Sequence, residues 1–436
     1  MVRLAVTGLA ALMTAACTHP NPLPIAGCAL TAYPLRVDAV GGAGARSGAE
    51  DFEGVVRASM SAPASTGPGV AAPARPSVLI LSGGSQHGAF GAGFFTGLPN
   101  VPDYKLVTGV STGALQATFL FLANRPAPAD RTYPAYFPTG VAHTNPGDAA
   151  LAYSISHEDD LLEVGGKGTI GGVVRGSIAN FGPLRGVLAG LISPETLRDI
   201  GRDYDPDPRQ GRRLLVGVTN VHDGAGYAID LTELANRFLA GTMRYEQARD
   251  CYVDALIASS SVPVAALPVS LEARTAGGIT RDLYIDGGAR FGVFWSQLGE
   301  LFETGLDPEV TLIVNGRLFS KPWVDGGGQR REEWSALTLA LRSVEILENQ
   351  VYRFSVDNVH RYGNANGRLR MAYISGDGLP PALDPDRFTF EGKRCAEWQA
   401  EDDLEKPTEF HPRYMRCLVA YGRARGAASA WNPVRR

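Results

Sequence analysis

The sequence predicts an α/β protein built on a mostly parallel β-sheet with helices on both faces. Short apolar runs of strand length alternate with helical segments along most of the 436-residue chain, an order typical of strands joined by helical crossovers. Two of these runs end in glycine-rich turns that lead directly into a helix. Hydrophobic residues make up 44% and charged residues 20% of the chain, which is enough apolar material for a buried core.

The predicted elements follow one another along the chain from residue 78. The strands are Val78–Leu81, Lys105–Val110, Leu214–Val218, Tyr227–Leu231, Leu283–Ile285, Val310–Val314 and Met371–Ile374. The helices are Ala89–Leu98, Ala114–Ala123, Tyr245–Ala258 and Ser335–Val359. Periodicity is weak and glycine is frequent between Pro126 and Pro183, so we expect an inserted cover over the active site there.

The strongest chemical motif is a G-x-S-x-G that ends the second predicted strand and begins a helix. It comprises Gly109, Ser111 and Gly113. A sharp strand-to-helix turn leaves no room for side chains beside the serine, and it presents the hydroxyl at the sheet edge. The helix N-terminus beneath it favours developing negative charge. By itself the motif is also compatible with a tight turn and a capping serine, because the chain has 52 glycines.

A second glycine-rich turn, Gly83-Gly84-Ser85, follows the first predicted strand. Backbone N–H groups at this position could face the same sheet edge and hold an oxyanion. A phosphate-binding loop is the competing interpretation, but His87 stands where a lysine is expected. A nucleotide site is therefore improbable.

A third motif places Asp286 at the end of an apolar strand, followed by Gly287 and Gly288. Asp-Gly-Gly is a common turn when it stands alone. A carboxylate at the end of a strand could nevertheless reach Ser111 across the sheet edge.

In this order, the three motifs resemble those of the patatin-like phospholipase family, over roughly Val78 to Gly288. Ala258-Ser259-Ser260-Ser261-Val262-Pro263 adds to the likeness. The resemblance implies a three-layer patatin-like fold with a nucleophile elbow and hydrolysis of fatty acyl esters without a metal or cofactor. It implies Ser111 as nucleophile, Asp286 as base, and an oxyanion hole at Gly83, Gly84 and Ser85.

This chain departs from the family at two positions and leaves two rival functions open. The family usually has glycine where this chain has Ser85, and arginine or lysine where it has His87. A positive φ at Ser85 would strain the oxyanion hole. One rival is an α/β-hydrolase with a Ser-Asp-His triad, because His360 and His411 follow Asp286. The other is a non-catalytic envelope lipid-binding lipoprotein.

The N-terminus predicts export from a bacterial cytoplasm. Arg3 and the apolar run Leu4 to Leu12 read as a signal peptide over residues 1–16. Small residues before Cys17 resemble a lipobox, which implies lipidation at Cys17 and a membrane-anchored lipoprotein of the cell envelope. Thr14 departs from that pattern, so ordinary cleavage near Ala16 stays open. The formal net charge of -4 gives no footprint for nucleic acid.

The rest of the domain organisation follows from composition and cysteine number. Glycine, alanine, serine and proline dominate from Gly41 to Pro76, so we predict a lipidated N-terminus and flexible tether over residues 17–76 and a catalytic domain over residues 77–431. Four cysteines remain after Cys17, and export permits disulfides. Proximity favours Cys395 with Cys417, leaving Cys28 with Cys251, among three possible pairings.

Overall fold

A computed structural model describes most of the chain from residue 22 onward. The described residues are 22–35, 49–61, 75–164, 179–294, 306, 308–316, 318, 334–366, 368–405, 407 and 409–434. The predicted signal peptide and Cys17 lie outside these ranges. Within them, no helix is both long and apolar enough to cross a membrane.

Thirteen short strands are formed in the described part of the chain, and nine of them make up the central sheet. The strands are β1 (Leu30–Pro34), β2 (Ser77–Leu81), β3 (Leu106–Val110), β4 (Glu163–Val164), β5 (Ala179–Asn180), β6 (Arg213–Asn220), β7 (Gly226–Asp230), β8 (Val269–Thr275), β9 (Gly278–Asp286), β10 (Glu309–Val314), β11 (Leu369–Tyr373), β12 (Thr389–Phe390) and β13 (Lys393–Arg394). The sheet order is β11-β10-β2-β3-β6-β7-β1-β8-β9.

Helices flank this sheet and connect its strands. They are α1 (Ala49–Met60), α2 (Gly88–Gly97), α3 (Thr112–Phe121), α4 (Asn145–Leu151), α5 (Gly182–Leu191), α6 (Pro194–Gly201), α7 (Leu231–Leu239), α8 (Tyr245–Ser260), α9 (Ala336–Asn366), α10 (Cys395–Asp403) and α11 (Pro412–Ala427). Strands β11, β10, β2, β3 and β6 run parallel, and each face of the sheet packs on its own buried apolar cluster. The predicted three-layer α/β fold is therefore confirmed.

Two strands share one edge of β6, and this arrangement brings two sequence motifs together. Val110, the last residue of β3, aligns with Gly217 of β6. The next residue of β6, Val218, aligns with Asp286 of β9, which runs antiparallel to it. Because β7 also pairs with Val218, β9 must occupy the edge that β3 has just left. Along this edge of β6, Asp286 therefore occupies the position next to the end of β3, which places it beside Ser111.

The prediction of a flexible tether over residues 17–76 is wrong for two segments, which form a strand and a helix. Leu30–Pro34 is the strand β1, which lies between β7 and β8 in the sheet. Ala49–Met60 is the helix α1, in which Phe52 and Val56 are buried in the core. Every second residue of β1 is buried, so the strand has one apolar face. The average composition of residues 17–76 does not reveal this short pattern. Of the other residues between 36 and 76, the structure describes only 61, 75 and 76.

Both predicted disulfides are formed. Cys28 is bonded to Cys251, which joins the segment before β1 to α8, and Cys395 is bonded to Cys417, which joins α10 to α11. The four sulfur-bearing residues are buried. The first bond fixes the N-terminal strand to the sheet domain, and the second holds the two C-terminal helices together.

Candidate active site

Ser111 lies in the turn between β3 and α3, with a backbone φ of +53° that is strained for a residue other than glycine. Its N–H donates to Ser259 Oγ at 3.0 Å, and that hydroxyl donates to the carbonyl oxygen of Gly217 at 2.6 Å. A Cβ at Gly113 would lie 2.5 Å from the carbonyl oxygen of Leu81. The nucleophile elbow predicted from G-x-S-x-G is therefore formed, and the surrounding contacts hold its strained conformation.

Asp286 is buried at the end of β9 beside Ser111, and both residues line the same cavity. The N–H of Gly288 donates to Asp286 Oδ1 at 2.6 Å, and the Asp286 N–H donates to the carbonyl oxygen of Ser261 at 2.9 Å. Burial raises the pKa of Asp286 to about 7, against the opposing effect of the hydrogen bonds from Ser111 and Gly288. A carboxyl group with this pKa can accept a proton near neutral pH.

The turn after β2 brings Gly83 against the serine. A Cβ at Gly83 would lie 3.0 Å from Ser111 Cβ and 2.0 Å from the hydroxyl oxygen of Tyr352, so only glycine fits there. Gly84 has a φ of +144°. Among the described residues, the N–H groups of Gly83, Gly84 and Ser85 donate no hydrogen bond to another protein group. Gly83 therefore lies against Ser111, Gly84 and Ser85 line the same cavity as Ser111, and the three N–H groups can still donate to a bound oxyanion.

Ser85 has a positive φ of +48°, the conformation expected to strain the oxyanion hole. An L-residue in this region costs on the order of 1 kcal/mol relative to glycine. The Ser85 hydroxyl donates to the carboxylate of Glu409, a contact that glycine cannot make. Burial raises the pKa of Glu409, and a hydrogen bond to a neutral group contributes about 0.5 to 1.5 kcal/mol, which is still enough to offset the strain of the serine.

The histidines considered for a triad have other partners. His411 Nε2 lies 2.9 Å from Asp403 Oδ1, and its Nδ1 lies 3.1 Å from Gln86 Oε1. His360 belongs to α9. Asp286 instead accepts a hydrogen bond from the N–H of Gly288, and hydrogen bonding by the Ser111 side chain lowers its pKa. This geometry favours a two-residue arrangement of serine and aspartate.

Helix α9 covers the site with two residues that the sequence analysis did not identify. Tyr352 is buried, and a Cβ at Gly288 would lie 3.1 Å from its hydroxyl oxygen. One turn earlier, Glu348 has a buried Oε1 with no hydrogen-bond partner among the described residues. Burial raises the pKa of Glu348 to about 8, assisted by the negative charge of Asp286. The i, i+4 spacing of these residues was the only sequence signal for them.

A cavity of about 520 Å³ contains both Ser111 and Asp286 in its lining. Its walls include a set of apolar side chains from α3, α5 and the segments around them: Leu115, Phe119, Leu161, Leu162, Phe181, Leu184, Val187, Leu188 and Leu191. Phe90, Phe94 and Phe95, which the sequence suggested as either channel or core, are buried in the core around α2. No group of histidine, cysteine and acidic residues that could hold a metal ion is found among the described residues.

Comparison with known proteins gives a family match and a likeness to solved structures. The family model described as Patatin-like phospholipase matches residues 79–297. No curated protein sequence matches the chain. The crystal structure of VipD from Legionella pneumophila aligns at 15% identity with a TM-score of 0.23, over 56% of this chain. The aligned part spans 50% of VipD, so no activity or partner of VipD transfers to this chain.

Proposed function

Because the chain belongs to the patatin-like phospholipase family, we propose that it hydrolyses fatty acyl esters of lipids with Ser111 as the nucleophile and Asp286 as its base. The family supports lipid acyl hydrolysis in general. The observation that carries the assignment to these residues is that both line one largely apolar cavity, where hydrogen bonding by the Ser111 side chain lowers the pKa of the buried Asp286 carboxyl group.

The proposed reaction proceeds through an acyl-enzyme. Asp286 accepts the Ser111 proton as Oγ attacks the ester carbonyl, and the carbonyl oxygen becomes negatively charged. The N–H groups of Gly83, Gly84 and Ser85 stabilise that charge. Collapse of the intermediate breaks the ester bond and returns the proton to the departing alcohol. Water then attacks the acyl group by the same route and releases the fatty acid.

The cavity supports a substrate with an extended acyl chain. Its apolar walls shield such a chain from water, and its volume is within the range of sites that bind drug-sized ligands. The reaction needs no cofactor, since the base, the nucleophile and the oxyanion donors all come from the protein.

The proposal is tested by covalent labelling and by turnover of one soluble substrate. A fluorophosphonate should label the wild-type chain and fail to label Ser111→Ala, because the probe reacts with an activated serine. Hydrolysis of a short-chain aryl ester should disappear in the same variant. A folded wild-type chain that gives neither adduct nor hydrolysis would instead favour the non-catalytic lipid-binding protein, for which the strained Ser85 is the supporting observation.

We also propose that the mature chain is a lipoprotein of a bacterial envelope, anchored through Cys17. The small residues before Cys17 support this, and more than one acyl chain is required for stable anchoring. Cys17→Ser should block lipid attachment and release the protein from the membrane fraction. Unchanged processing and fractionation would contradict the anchor.

A further inference from the structure

The first half of helix α9 directs polar side chains toward the cavity, whereas Val356 and Val359, farther along the same side, are buried in the apolar core. Successive residues of an α-helix advance by about 100°, so Glu345, Glu348 and Tyr352 fall on one side. These three line the cavity that contains Ser111. A surface helix usually directs its apolar side inward and its charged side to solvent. In the first half of α9, Arg342, Glu345 and Glu348 border the cavity beside Leu341 and Val344.

The opposite side of α9 carries large exposed apolar side chains, interspersed with Ser343, Gln350 and the exposed ion pair of Asp357 and Arg361. Leu347 is 66% exposed and Phe354 is 63% exposed, and both lie on the side away from the cavity. Leu339 and Ile346 extend the same side, and Trp334 immediately before the helix is also exposed. Several large apolar side chains in one exposed stripe are typical of a surface that contacts a membrane or another protein.

The position of the cavity behind α9 indicates what the exposed apolar side chains of the helix contact. We propose that the exposed apolar stripe of α9, formed by Leu339, Ile346, Leu347 and Phe354, seats the protein on the surface of a lipid bilayer. A lipid whose ester bond is to reach Ser111 must leave a bilayer, and α9 is a wall of the cavity that would receive it. This inference rests on the proposed lipid acyl hydrolase function. A helix of this kind lies in the interfacial plane with its apolar side in the acyl region.

The family assignment does not supply this surface. The matched residues end at 297, whereas α9 begins at Ala336. Trp334 at the start of the helix adds a side chain of the type that is enriched at membrane interfaces. Other exposed apolar residues, such as Ile279 in β9 and Leu404 after α10, belong to separate elements and provide matched controls.

The test measures binding to phosphatidylcholine vesicles, which carry no net charge. Full mature chains with Ser111→Ala are used so that the vesicles are not hydrolysed, and all variants share the same N-terminus. Leu347→Glu combined with Phe354→Glu should weaken binding by at least about tenfold, because two charges would have to enter the interface. Ile279→Glu combined with Leu404→Glu should stay within about twofold of the parent. Thermal melts of both pairs should match the parent, since all four side chains are exposed.

A second measurement separates this inference from the proposed function. With Ser111 restored, the α9 variant should hydrolyse a soluble aryl ester at the wild-type rate but lose about tenfold on vesicle lipid. Equal loss on both substrates, or unchanged vesicle binding, would overturn the bilayer surface and leave the hydrolase assignment standing. If sedimentation without vesicles shows a dimer that the α9 substitutions dissociate, the occupant is a second copy and the inference is wrong. Absence of ester hydrolysis in the wild type would contradict the proposed function, whereas loss of vesicle binding on substitution would still support the surface.

Discussion

Two regions of the chain meet at the cavity, and they contribute by different means. Residues 79–297 supply Ser111, Asp286 and the glycine turn, which are held by strand register and backbone hydrogen bonds. Residues 336–411 supply the cover, through α9 and the segment that carries Glu409. The first region places backbone atoms at fixed positions, and the second reaches the site with side chains.

The reacting groups are therefore encoded in the first region, and the surroundings of the site are encoded in the second. The first region contains the family match, and its motifs tolerate few residue types because close contacts exclude a Cβ at Gly83 and Gly113. The second region lies outside the match, and its side chains are constrained mainly by polarity. We therefore expect substitutions in the first region to abolish turnover and those in the second to alter stability and pH dependence.

The largest expected effect comes from the base in the first region. Asp286→Asn keeps the shape of the side chain but cannot accept the Ser111 proton, so turnover of an aryl ester should fall by about 10⁴-fold. Thermal stability should not fall, since the neutral amide avoids burying a charge. His360→Ala and His411→Ala should each remain within about tenfold of wild type, or about 1.4 kcal/mol in the barrier. Indispensable histidine and an active Asp286→Asn would instead identify a triad.

The two disulfides provide a stability comparison between the same regions. Cys28–Cys251 spans 223 residues and ties β1 to the sheet domain, whereas Cys395–Cys417 spans 22 residues within the C-terminal region. In the chain-entropy model, replacing both cysteines of a bond by serine should lower the unfolding free energy by about 5 kcal/mol for the first and about 3 kcal/mol for the second. Denaturant titrations measure both values. A greater loss from the shorter loop would show that chain entropy does not govern these bonds.

The hydrogen bond from Ser85 to Glu409 is one of several that join the two regions. Ser85→Ala should destabilise the fold by about 1 to 3 kcal/mol, because it removes this bond and leaves a carboxylate without its donor. Ser85→Gly loses the same bond but relieves the strain at φ +48°, so it should be about 1 kcal/mol more stable than the alanine variant. Thermal melts of the pair give the comparison. Equal stability of the two variants would mean that the positive φ carries no measurable strain.

The same division explains what could be predicted from the sequence. Glycine patterns revealed the elbow at Ser111 and the turn after Asp286, because sterically crowded turns restrict the residue types they accept. Strand β1 was missed because five residues, Leu30–Pro34, are too few to show a clear periodicity. Tyr352 and Glu348 were missed because a helix pattern shows which residues share a side, but long-range packing decides what that side faces.

The smallest expected effect concerns pH and tests whether the cover influences the chemistry. The two buried carboxyl groups Asp286 and Glu348 have pKa values raised to about 7 and about 8, so the pair loses its protons in two steps. Turnover should rise as pH passes about 7, because the base must be ionised. It should fall again above about 8, because ionised Glu348 adds negative charge where the oxyanion forms.

Glu348→Gln is the variant that isolates the second step. Glutamine stays neutral at every pH, so the alkaline fall should disappear and the rise near 7 should remain, which makes the variant about tenfold faster than wild type at pH 9. Asp357→Asn is the matched control, since Asp357 is an exposed residue of α9 outside the cavity lining that pairs with Arg361 at 2.7 Å; it should keep the wild-type bell. Rates of aryl ester hydrolysis between pH 5 and about 10 decide the matter. If Glu348→Gln still shows the alkaline fall, the charge of Glu348 does not affect the stability of the oxyanion. The cover would then influence only how the substrate enters.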